Sequence, residues 1–240
     1  GPDCGKLSKR HRAKFVLEYA EEGYLPDALA NFLAITGWAL DDHTEIFTRE
    51  RLIEVFDLKN LSKNPSGFDT TKLEWMNGIY LRDMPEDELV EIFAQRLERD
   101  LPADIARPLD RTLVEAFTPL VRERIKLLAE LAPMVEFFFR SELTTAPAEA
   151  FLTKKWKGRA ADAVSALNAT ASYLGPIEEW QTAPIEEALR AAAEEVGERA
   201  GDFFSLSRLA VTGAAISPPL FESMEIIGKG LTIERIEAAA

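Results

Sequence analysis

The amino-acid sequence predicts an all-α chain, or one that is mainly so, and three observations carry that prediction. Apolar residues recur at spacings of three and four along most of its 240 residues. Proline and acidic residues stand where such stripes begin, and glycine stands where several stop. No alternation of short apolar runs with helical segments appears, so a parallel nucleotide-binding sheet is not encoded here.

The elements follow in order. Leu25, Leu29, Phe32 and Leu33 form an i, i+4, i+7, i+8 stripe, entered through Pro26 and ended near Gly37. Thr48 is suited to cap a helix carrying Leu52, Ile53 and Phe56. Leu73, Met76, Tyr80 and Leu81 mark another. Pro85, Glu86 and Asp87 open one that runs to about Leu97, with acids in the first turn as the helix dipole prefers. Asp110 caps a segment through Leu113, Val114 and Phe117. The same pattern repeats in Val121, Ile125, Leu128 and Leu131. Helices are expected over about 160–174, 185–196, 202–215, 219–227 and 231–239, with stops at Gly197 and Gly228. Strand character is confined to Phe15–Leu17 and to Val135–Phe139, the latter equally compatible with helix. Proline-rich and polar clusters at 59–70, 101–109, 144–149 and 175–184 read as loops.

The composition is that of a globular protein: 47% hydrophobic and 29% charged residues. No apolar run reaches the roughly 18 residues a membrane span needs. The basic start is not followed by an apolar stretch, which argues against a secretory leader. A lone cysteine, Cys4, leaves no internal disulfide, and with only His11 and His43 beside it no ordinary structural metal site is expected.

The net charge of −13 speaks at first against a nucleic-acid partner. Its distribution says otherwise. Residues 1–14 hold five bases against Asp3 alone, a net of +4, and residues 121–160 hold eight bases against five acids, a net of +3. Every other stretch is acidic. Two basic islands in an acidic scaffold could orient a polyanion, although charge alone favours ordinary solvated faces.

Few residues advertise chemistry. The acidic pairs, such as Glu21-Glu22 and Glu186-Glu187, lie among other charges and do not share a helix face. Gly228-Lys229-Gly230 lacks the other parts of a phosphate loop. The informative string is Gly5-Lys6-Leu7-Ser8-Lys9-Arg10-His11. Two lysines flank a small hydroxyl residue, a combination that suits holding polyphosphate while charge builds during nucleotidyl transfer. Taken alone it is a weak signal and reads first as a basic tail or loop.

The string Lys6–Arg10 resembles the KMSKS-type loop of class I aminoacyl-tRNA synthetases, in the form used by bacterial glutamyl-tRNA synthetases. Further segments resemble that family in order. They are Gly23-Tyr24-Leu25-Pro26 with Asn31 and Gly37-Trp38; Phe68-Asp69 followed by Lys72–Gly78; and Arg208–Gly213 followed by Ser217-Pro218, Leu220-Phe221 and Leu231–Arg235.

The resemblance implies the part of such an enzyme that begins at the loop: a stem-contact domain over 1–84, then an all-helical anticodon-binding region in two subdomains, 85–136 and 137–240. It implies a glutamate–tRNA ligase that charges tRNA-Glu with glutamate, using ATP with Mg2+ through glutamyl-adenylate. It also implies a cytoplasmic, monomeric protein with no membrane partner. The chain alone, with neither the nucleotide-binding fold nor its HIGH-type motif, is expected to bind tRNA without forming the adenylate. The open alternative is a free-standing helical paralogue that binds tRNA or protein and has no ligase activity.

Carried over residue by residue, the resemblance puts Lys6, Ser8 and Lys9 on ATP phosphates and Lys72 and Trp75 on the tRNA. Arg124, with Arg122, falls on an anticodon-reading Arg-x-Arg pair, and Arg190, Arg208, Ser217, Pro218 and Leu220 fall on further anticodon contacts. Arginine at 124 implies discrimination of glutamate from glutamine anticodons. Read without the family, Trp75 is as suited to core as to base stacking. Arg122 and Arg124 read as a solvated helix face, Arg190 as an i, i+4 partner of Glu186 and Arg208 as a phosphate contact. Arg12 and Ala200 depart from the family pattern.

Overall fold

A computed structural model describes residues 1, 5, 14–64, 66–141, 143 and 148–240. The loop residues Lys6, Ser8 and Lys9 lie outside the described residues. All regular structure among the described residues is helical. The α-helices are α1 (Val16–Glu22), α2 (Pro26–Ile35), α3 (Arg49–Val55), α4 (Thr70–Asp83), α5 (Glu86–Asp100), α6 (Arg111–Arg122), α7 (Leu131–Val135), α8 (Ala148–Phe151), α9 (Ala160–Leu174), α10 (Thr182–Glu195), α11 (Ala200–Thr212), α12 (Leu220–Ile227) and α13 (Lys229–Ala239). They fall into two compact units: residues 1–100 with 122–131, and residues 101–121 with 132–240.

In the first unit α2 packs on α4, and α3 lies against α2. Tyr19, Tyr24, Phe32, Leu73 and Met76 form a buried cluster, with Phe68 and Tyr80 closing its edge. Capping side chains start the helices as the sequence suggests. Thr48 accepts from the Arg51 N–H at α3, and Asp69 accepts from Thr71 and Lys72 at α4. In the second unit α9 packs against α10 and α13, and α12 against α10. Its core holds Leu167, Leu174, Leu189, Phe203, Val211 and Met224, all essentially inaccessible. Burying a side chain of this size stabilises the fold by about 1.5–3 kcal/mol.

Two expectations need correction. Phe15–Leu17 is not a strand: α1 begins at Val16, where the Glu18 carboxylate accepts from the Phe15 N–H. Phe15, Val16 and Leu17 are 68%, 70% and 76% exposed, so their apolar character marks surface and not a sheet.

The stripe Val121, Ile125, Leu128 and Leu131 is buried as its pattern suggests, but it is not one helix. The helix ends at Arg122, and a 3-10 turn occupies Leu128–Glu130 before α7. Distant partners replace the i−4 hydrogen bonds. Asn77 takes the Lys126 carbonyl at 2.5 Å, and the Leu128 N–H donates to Gly23 at 3.2 Å. The Glu130 carboxylate accepts from the Lys126 and Leu127 N–H groups. Val135–Phe139 resolves as the end of α7 and a 3-10 helix over Glu136–Phe139.

Candidate nucleic-acid interface

On α4, Leu73, Met76, Asn77 and Leu81 face inward and are fully buried. Lys72 and Trp75, spaced i, i+3, therefore share the outer side. Trp75 is 42% exposed, which leaves much of the indole open to stack on a base. The Lys72 ammonium is paired with the Glu45 carboxylate. Glu45 is itself held in place, because the Asn31 amide donates to its carbonyl at 2.9 Å. Asn31 also accepts from the Phe47 N–H at 2.8 Å and the Tyr80 hydroxyl at 2.7 Å. Lys72 thus rests against a partly exposed carboxylate whose backbone is held in place.

The Arg-x-Arg pair divides into two environments. Arg122 is the last residue of α6, and its side chain is 18% exposed. Its Nη2 donates to the carbonyls of Arg82 and Met84, at 2.5 and 2.7 Å, where α4 ends. It therefore satisfies helix-terminal carbonyls that have no partner within their own helix. Arg124 is exposed on the non-helical segment that follows.

That segment is tied to α4 by Asn77, fully buried two residues after Trp75. Asn77 accepts from the Leu25 N–H at 2.7 Å and donates to Lys126, while Gly23 takes a longer contact at 3.5 Å. The helix carrying Lys72 and Trp75 and the segment carrying Arg124 thus share one buried hydrogen-bonding residue.

In the second unit, Arg190 of α10 is 58% exposed and paired with Glu186 at 2.5 Å, the i, i+4 contact its spacing suggests. Its guanidinium also lies 5.4 Å from the Phe204 ring of α11. Phe204 meets Phe221 of α12 edge-on, with ring centres 5.1 Å apart. One turn along α11, Arg208 donates to the Ser217 hydroxyl at 2.8 Å and the Pro218 carbonyl at 2.9 Å. Ser217, Pro218 and Leu220 are buried, so they shape the loop that seats Arg208. The fold thereby gathers Arg190, Arg208 and that loop along the α10–α12 side.

Sequence reasoning missed Phe204 here, and it quoted Phe221 only as part of the resemblance and not as a site residue. The i, i+4 spacing of Phe204 and Arg208 was the available signal. No group of three or more His, Cys, Asp and Glu able to hold a metal occurs among the described residues.

The molecule is thus built from helical surfaces that display arginine, lysine and partly open aromatic rings, a class suited to single-stranded RNA. The comparisons agree. Residues 88–240 match the family model of the anticodon binding domain, and the chain belongs to that family. Residues 2–75 match the model for the catalytic domain of class I tRNA synthetases (E and Q).

The curated relatives carry the name glutamate–tRNA ligase. The protein from Roseiflexus sp. (strain RS-1) is 42% identical over 236 residues, which cover 98% of this chain and 46% of that protein. The one from Acidothermus cellulolyticus is 38% identical over 244 residues, covering 100% and 47%. The structure of a glutamate tRNA ligase from Elizabethkingia meningosepticum, in complex with its amino acid, matches at a TM-score of 0.77 and 25% identity, covering 98% of this chain and 48% of that one. The chain spans about half the length of the curated relatives it matches.

Proposed function

We propose that this chain is the tRNA-binding part of a glutamate–tRNA ligase, which joins glutamate to tRNA-Glu through glutamyl-adenylate. ATP is a substrate, as its magnesium complex, and Lys6, Ser8 and Lys9 hold its phosphates. The observation that carries the reading is the anticodon-binding match over residues 88–240. Relatives of the same name cover nearly the whole chain, which supports it further. The protein acts as a cytoplasmic monomer, divided by role into a stem-contact part (1–84) and two anticodon-binding parts (85–136 and 137–240).

Within this reading Lys72 meets phosphate and Trp75 stacks. Arg124 reads the anticodon, while Arg122 keeps the end of α4 in place beside it. Arg190 and Arg208 face the remaining anticodon nucleotides from a loop shaped by Ser217, Pro218 and Leu220. Arginine can hydrogen-bond a base edge with two parallel donors, which glutamine cannot do with the same charge or reach. Binding of the chain to tRNA-Glu and tRNA-Gln, before and after Arg124→Gln, tests the assignment. The native chain should prefer tRNA-Glu, and the substitution should shrink the preference about fivefold or more, as expected for loss of a bidentate contact of about 1–3 kcal/mol. An unchanged ratio refutes the role of Arg124.

A further inference from the structure

The positive stretch 121–160 has eight bases, and four of them, Lys154, Lys155, Lys157 and Arg159, lie in the six residues KKWKGR at 154–159. The anticodon assignment uses none of these. In the structure Lys154–Trp156 forms a 3-10 turn, and Arg159 precedes α9. Trp156 is the anchor. It is 4% exposed, and its indole N–H donates to the Asp202 carbonyl of α11 at 3.3 Å. With the indole turned inward, Lys155 and Lys157 on either side of it remain exposed.

A second anchor acts on the charges themselves. Glu198, in the connection between α10 and α11, has a side chain only 7% exposed. Its carboxylate pairs with Arg159 at 2.6 Å and with Lys155 at 3.2 Å. These partners hold the carboxyl below its usual range, the Arg159 hydrogen bond most of all. Asp162 takes the other side of Arg159 at 2.7 Å, and the Arg159 guanidinium lies over the Trp156 ring. Two carboxylates thus fix two cations. Lys157 and Arg199, which adjoins Glu198, are exposed, and no carboxylate pairs with either among the described residues.

We infer that the Trp156-anchored turn 154–159, together with Arg199, is a contact for the phosphate backbone of the bound tRNA, separate from the residues that read bases. The inference rests on the tRNA-binding reading above. The turn's exposed cations are the ammonium groups of Lys155 and Lys157, and its one aromatic ring is buried, so it presents charge without a stacking face. That is the chemistry of a positioning contact, which fixes register on RNA without reading its sequence. The acidic surroundings give the site its value: an approaching polyanion is repelled by most of the surface and attracted here.

The experiment is a salt series of tRNA-Glu binding to the whole chain, its Lys157→Gln variant and its Lys155→Gln/Lys157→Gln variant. The expected result is a several-fold loss at low salt and a plot of log affinity against log salt that is shallower by roughly 0.7–0.9 for each phosphate contact removed. The loss should be equal for tRNA-Glu and a non-cognate tRNA. Lys157→Arg should keep both affinity and slope, and Lys157→Gln should keep the melting temperature. An unchanged slope in variants of a chain that binds tRNA overturns the inference and leaves the tRNA reading standing. A native chain that fails to bind tRNA at low salt overturns the tRNA reading, and this inference with it.

Discussion

Single residues are set here by what they satisfy at long range. Arg235 is 5% exposed and donates to the carbonyls of Val211, Phe137 and Arg140, while burial pushes its guanidinium down to about 10. At neutral pH it remains a cation, stabilised by carbonyl dipoles in place of a carboxylate. Nothing local in the sequence points to this role, since the three carbonyls are 24 to 98 residues away.

The tyrosines yield a prediction at the same scale. Burial raises both Tyr24 and Tyr80 to about 12, and it raises Tyr19 as well. A raised phenol keeps its proton in the folded chain where the unfolded chain loses it. The stability these groups contribute is therefore complete below pH 10 and lost as pH rises through about 12. Phenolate absorbance should rise in step with the loss of helical circular dichroism across that window. Tyrosine ionisation that is complete before any helix is lost would contradict it.

Among the elements, the non-helical segment after Arg122 shows most clearly what local pattern can and cannot say. Its apolar spacing identifies residues that are buried, and they are. It does not show that Asn77 and Gly23, some 50 or 100 residues earlier, claim the backbone groups a helix would use. Gly23 makes the point testable. Its φ of +92° lies in the left-handed region, and a Cβ there would stand 2.5 Å from Leu128. Gly23→Ala should therefore destabilise the first unit by about 2–3 kcal/mol, combining backbone strain with displacement of Leu128. Denaturant unfolding followed by the fluorescence of Trp38, buried in that unit, measures this, and a midpoint equal to that of the native chain would show that the 126–130 segment yields freely. Because the same segment carries Arg124, weakened tRNA-Glu binding should accompany the loss.

For the molecule as a whole, charge distribution matters more than the sum. A chain at −13 that binds RNA is expected to do so through few cations, among the described residues Lys72, Arg124, Arg190, Arg208 and the turn at 154–159 with Arg199. Each phosphate neutralised adds roughly 0.7–0.9 to the steepness of the salt dependence. The slope for tRNA-Glu should thus stay below about 8 in magnitude, and a far steeper value would mean a broad basic face that the described residues do not display.

The sequence by itself determined the helical class, most helix starts and stops, and which residues carry the family resemblance. These depend on hydrogen bonds and side-chain spacings within one or two turns, and both are written locally. Only the tertiary structure decided that Trp75 is half open and that Arg122 closes the end of α4 while Arg124 is exposed. It alone placed Phe204 and Phe221 beside Arg190, and Glu198 beneath Lys155 and Arg159. Each of these outcomes depends on a partner brought close by chain folding over tens of residues, and no local period records that distance.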